Sequence, residues 1–133
     1  MTPKSDSVKT VSADKAVRAG RLAKARQFLQ VADDAIELAD ETDVADAAAT
    51  LYIHAGIAAA DAICAAALGK HAKGQDHQQA VTLLASTDRE ASKWLNTLLT
   101  MKTRAGYGHD PTSDSALRRL QRAAQSLVNR ALT

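Results

Sequence analysis

The stretch from Asp43 to Leu68 limits what this chain can fold into more than any other. It carries Leu51, Tyr52, Ile53, Ile57 and Ile63, with alanine at most positions between them. Alanine and leucine are the best helix formers, so one long helix is expected here. Its apolar residues fall on every side rather than on one stripe. Such a helix has to be enclosed by others and belongs in the middle of a bundle. Gly56 and the alanines leave room for close helix approach, and Gly69 is suited to cap the C-terminus. No apolar run of about 18 residues is free of charge, so a membrane span is not expected.

The rest of the chain supplies the partners. From Ala13 to Ala39, Leu22, Leu29, Ala32, Ile36 and Ala39 recur at three- and four-residue steps, which predicts a first long helix with one apolar stripe. Thr42-Asp43 is the expected cap of the central helix. Gly74-Gln75-Asp76 predicts a turn and cap before a short helix to Ala85. Thr87-Asp88-Arg89-Glu90 reads as a capping box for a fourth helix, whose buried face is Ala91, Trp94, Leu95, Leu98 and Leu99. Gly106, Gly108 and Pro111 end it. Ser113-Asp114 caps a last helix to Leu132, with Leu117, Leu120, Ala124, Leu127 and Ala131 inward. The predicted fold is all-α: an up-and-down bundle of four long helices plus one short helix, because short connections make neighbours antiparallel.

At 133 residues the chain holds one domain, and with only 3% aromatics its core must be built from aliphatic side chains. Residues 1–12 are polar and lack the apolar stretch of a secretory signal, so they are expected to form a disordered leader before a domain over residues 13–133. Cys64 is the single cysteine, which excludes an internal disulfide framework and fits a cytoplasmic protein. Charge is uneven. Seven basic and two acidic residues lie between Met1 and Arg26, seven acidic and no basic between Asp33 and Asp46, and six basic against two acidic from Lys102 onward. Separate positive faces can attract nucleic-acid phosphates, or be ordinary solvated helix faces.

The residues that suggest chemistry are Arg104-Ala105-Gly106-Tyr107-Gly108-His109, between two predicted helices. A guanidinium can neutralise phosphoryl oxygens, and an imidazole can move a proton near neutral pH. Tyr107 can bond a phosphate or stack on a base. The alternative is a helix end with an exposed loop histidine. His54 is expected to be buried and satisfied within the bundle, His71 to be at the surface, and His77 to start a helix. Cys64 is assigned to the core. No cysteine or carboxylate spacing supports a metal site, and no cofactor motif is present.

The run from Leu51 to Ile63, the following Gly74 to Leu84, and Arg104 to His109 as an R-x4-H signature together resemble the HEPN superfamily (higher eukaryotes and prokaryotes nucleotide-binding domains). The likeness spans roughly Ala13 to Leu132. It implies a helical bundle that dimerises and cleaves RNA without a metal, often as the toxin of a toxin–antitoxin pair or as a phage-defence effector. It assigns Arg104 to phosphate and transition-state binding and His109 to proton transfer. Lys102, Tyr107, Arg118 and Arg122 are the expected substrate contacts beside them. The implied partners are a second copy, RNA, and an antitoxin or nucleotidyltransferase. A second alignment uses Lys102, Ala105, Tyr107 and Gly108 and implies a noncatalytic interaction subunit. A third reading is a nucleic-acid-binding protein that uses Arg118, Arg119 and Arg122 with the basic N-terminal stretch.

Overall fold

A computed structural model describes residues 8–39, 41–74 and 76–133, with only the backbone of residues 41 and 42. Among the described residues the protein is all-α apart from one small two-stranded sheet. Its elements are β1 (Thr10–Ser12), α1 (Lys15–Leu38), α2 (Glu41–Leu68), β2 (Lys70–Ala72), α3 (His77–Ala85), α4 (Arg89–Thr100), α5 (Lys102–Tyr107) and α6 (Asp114–Leu132).

As its composition requires, α2 lies at the centre and packs against every other helix. Ala48, Ala49, Ala55, Ala58 and Ala59 are fully enclosed along it. Gly56 sits where α4 and α6 press closest. A β-carbon there would fall 2.1 Å from Leu98 Cδ1 and 3.2 Å from Leu127 Cδ1, so only glycine fits without displacement. By length and composition α2 could cross a membrane, with a mean hydropathy of 1.6 in its most apolar window, but 56% of that window is buried inside the bundle. Near its centre, the Tyr52 hydroxyl donates to Asp33 Oδ1 at 2.6 Å, and Gln121 Nε2 donates to the same oxygen at 3.1 Å. That network ties α1, α2 and α6 together. Burial and then the Asp33 carboxylate push the phenol pKa up.

The ends of the helices follow local chemistry. Asp14, Asp76, Asp88 and Ser113 each accept a backbone N–H from three residues on, capping α1, α3, α4 and α6. The cap of α4 is therefore Asp88, one residue later than the expected Thr87 box. Its other carboxylate oxygen receives Arg130, which also reaches Glu90 at 2.6 Å and lies over the Trp94 ring at 5.0 Å. Gly69 ends α2 at φ +69°, with its N–H on the Ala65 carbonyl at 3.0 Å.

Three expectations need correction. Residues 8–12 are not part of a disordered leader: Val8 is buried and β1 pairs antiparallel with β2, Val11 opposite His71. The reason is topological, since α2 packs back along α1 and brings the chain before α1 beside the chain after α2. Residues 1–7 lie outside the described residues. The central helix starts at Glu41, so Thr42-Asp43 lies inside its first turn, and the Thr42 side chain and Gln75 of the expected turn are outside the described residues. Finally, the fourth helix does not run on to the glycines. It stops at Met101, whose φ of −101° and ψ of −2° leave the helical path, and restarts as α5.

Candidate functional site

Because α5 restarts the chain, Arg104 stands inside a short helix rather than in a loop. Its neighbour Ala105 is buried against the bundle, while Arg104, Gly106, Tyr107 and His109 face solvent. Tyr107 is 84% exposed and the His109 side chain 96%. His109 Nε2 lies 3.5 Å from Asp110 Oδ1, and Arg104 makes no ion pair among the described residues.

The chain around these groups is pinned at both ends. Gly108 caps α5, its N–H directed at the Thr103 and Arg104 carbonyls, and a β-carbon on it would meet Arg104 O at 2.9 Å. Four residues later, Thr112 donates both its N–H (2.8 Å) and its hydroxyl (2.7 Å) to Asp46 Oδ1 on α2. Those two bonds hold the Asp46 carboxyl below its ordinary range. His109 therefore sits on a five-residue arch, 108–112, with fixed footings.

Lys102 is turned the other way. It lines a cavity of about 160 Å³ between α2, α3, α4 and α5, and a second one with Thr50, Ile53, Gly106 and Tyr107. The first has an apolar floor that includes Ile57, Ala60, Leu95 and Leu99, and a rim that includes His54, Asp61, His77 and Lys102. Neither cavity is lined by Arg104 or His109.

Two of the histidines are placed differently from what the sequence suggested. His54 is exposed rather than buried, because α5 and the start of α3 leave its side of α2 partly open; its ring meets Phe28 at 6.1 Å. Partial desolvation, Lys102 and Arg21 all push its pKa down. His71 is half-buried rather than at the surface, since β2 tucks it towards Asp61, whose Oδ1 is 3.9 Å from its Nδ1. Arg21 Nε from α1 binds the other oxygen of Asp61 at 3.0 Å. His77 opens α3 as expected. Cys64 is buried, and desolvation followed by Asp61 pushes its thiol up to about 12, so it stays protonated at neutral pH. Among the described residues no cluster of histidine, cysteine and carboxylate is arranged to hold a metal.

The remaining basic candidates lie on α6. Arg118, Arg119 and Arg122 are exposed, with Arg118 Nε 3.9 Å from Asp114. Arg119 and Arg122 flank Trp94 and Thr97 in an open depression between α4 and α6. This is a different cavity from those that Lys102 lines. One sequence signal could have marked the cavity between α2, α3, α4 and α5: His54 and Asp61 are seven residues apart on α2, hence on one side of it. Lys102 and the α4 floor come from elsewhere in the chain and gave no such signal.

Comparison of the chain with protein-family models, with curated proteins and with solved structures finds no match in any of the three.

Proposed function

We propose that this protein is a HEPN-type, metal-independent endoribonuclease whose active site forms between two copies of the bundle. The observation that carries the reading is the pinned presentation of Arg104, Tyr107 and His109. Exposed side chains on a mobile loop would be ordinary, but these sit on a helix end and an arch anchored by Asp46 and Thr112. Arg104 has no competing carboxylate among the described residues and is open to a phosphate.

The chemistry asks for two proton movements. The ribose 2′-oxygen attacks phosphorus as its proton leaves, and the 5′-oxygen departs as it gains one. One arch offers one imidazole, so a two-fold pair supplies both, while the paired guanidiniums meet the charge on the phosphoryl oxygens. Tyr107 extends the contact along the strand, with Arg118 and Arg122 on α6 as outer phosphate contacts. A cytoplasmic protein acting as a toxin or defence effector, held by an antitoxin or nucleotidyltransferase partner, fits this role.

The test is cleavage of RNA by the purified chain in EDTA, with its mass in solution measured alongside. Arg104→Ala and His109→Ala are expected to abolish cleavage without unfolding the protein. Asp46→Ala, which releases the arch but touches neither group, is expected to lower cleavage and speed exchange of the Thr112 amide. Variants as active as the parent, or an active monomer, overturn the proposal.

A second reading is favoured by the 84% exposure of Tyr107. An aromatic side chain so open is suited to anchor a protein partner, as in a noncatalytic interaction subunit. It predicts no cleavage, and a stoichiometric complex that Tyr107→Ala dissolves.

A further inference from the structure

The cavity under α5 has the form of a ligand site, and its chemistry narrows the ligand. Its volume, about 160 Å³, is that of a space able to enclose a benzene-sized molecule. Ile57, Leu95 and Leu99 give it an apolar floor, so a small apolar body gains from entering it.

The polar groups on its rim are not equivalent. Asp61 already faces Arg21 at 3.0 Å and His71 at 3.9 Å, so its charge is answered within the protein. Asp76 is occupied in capping α3, where it accepts the Gln79 N–H at 3.1 Å. Lys102 is half-buried and has no ion pair among the described residues. His54 lines the cavity beside it. Seven residues, or about 10 Å of helix rise, separate His54 from Asp61, so the positive and the compensated ends are distinct. The pKa of His54 is lowered first by desolvation and then by Lys102 and Arg21, and the second part places both cations near its ring.

We propose that this cavity binds a small amphipathic carboxylate, its anionic head on Lys102 and His54 and its apolar body against Ile57, Leu95 and Leu99. A half-buried ammonium without a counter-charge gains most from an anion, and the floor selects one that carries a ring or a short branched chain. The site is independent of the RNA reading, because neither Arg104 nor His109 lines it.

Benzoate, benzamide and benzamidinium share one shape and differ in charge, which makes them the right probes. Each is titrated into the full chain while the Ile57, Leu95 and Leu99 methyl resonances are followed. Benzoate is expected to shift them saturably, about tenfold more tightly than benzamide, as befits one charge-assisted hydrogen bond. Benzamidinium and inorganic phosphate are expected to bind more weakly than benzoate. Lys102→Met keeps the aliphatic stem and should reduce benzoate to the level of benzamide, with the methyl spectrum confirming the fold. Arg104→Ala should leave benzoate binding unchanged. Absence of saturation at about 10 mM benzoate, equal binding of the three ring compounds, phosphate as tight as benzoate, or an unaffected Lys102→Met protein overturns the proposal.

Discussion

Replacing Gly56 by alanine pits helix propensity against packing, and the structure decides which wins. In a solvated helix interior alanine is better than glycine by about 1 kcal/mol. At Gly56, however, the added methyl would lie 2.1 Å from Leu98 Cδ1 and 3.2 Å from Leu127 Cδ1. Ordinary carbon contacts are about 3.5–4.0 Å, so Leu98 has to retreat by more than an ångström. Both leucines are fully enclosed, and a close-packed interior gives them nowhere to go. Overpacking of this kind costs about 1–3 kcal/mol, and the upper part of that range applies to a clash between fully enclosed groups. The expected net effect is a loss of about 1–2 kcal/mol. Gly20 is the internal control. It lies within α1, exposed, with nothing within 4 Å of its would-be β-carbon, so Gly20→Ala should raise stability by about 0.5–1 kcal/mol. Urea unfolding of both variants reads the midpoint with the slope unchanged. Combining Gly56→Ala with Leu98→Ala should cost less than the two single losses added, because the new methyl enters the space that Leu98 vacates. A stabilised Gly56→Ala protein, or additive losses in the double variant, would refute the close approach of α2, α4 and α6.

Two further outcomes are expected. Tyr52→Phe removes the donor from Asp33 while leaving Gln121 on the same oxygen, so urea unfolding should show a loss of about 1–2 kcal/mol, and a neutral result would mean that the hydroxyl is not in the network. Asp61 has a carboxyl pKa raised by burial and held back by Arg21, so its contribution is fullest below the unfolded pKa and declines as pH rises through the raised folded value. Arg21→Met extends and deepens that decline: stability measured against pH should diverge from the parent above about pH 4, by about 1–3 kcal/mol at neutrality, and a constant difference down to pH 3 would contradict it.

How much of this could be read from the sequence depends on whether the physical cause was local. The enclosed helix, the close approach at Gly56, the Gly69 cap and the inward face of α6 each follow from residue type and spacing along one element, and each is found. The β1–β2 pair could not be seen this way. Thr10–Ser12 is polar and short, and what orders it is the folding of α2 back along α1, a contact across some sixty residues. The break at Met101 was equally hidden, since neither glycine nor proline marks it and the apolar spacing simply continues.

That break governs both candidate sites. Had α4 run straight on to Gly106, its last turns would have continued the helix axis, and Lys102 and Arg104 would have been two side chains on one rod. Restarting at Lys102 lets α5 pack on α2 with Ala105 buried, which puts Lys102 over the cavity floor and leaves Arg104 and Tyr107 in solvent. A six-residue helix cannot hold such an orientation by its own backbone bonds. It is held instead by Ala105 on one side and by the Thr112–Asp46 anchor beyond Gly108. Two chemistries, a half-buried lysine lining an apolar cavity and a guanidinium presented outward, are thus separated by two residues of sequence and by the opposite faces of one turn.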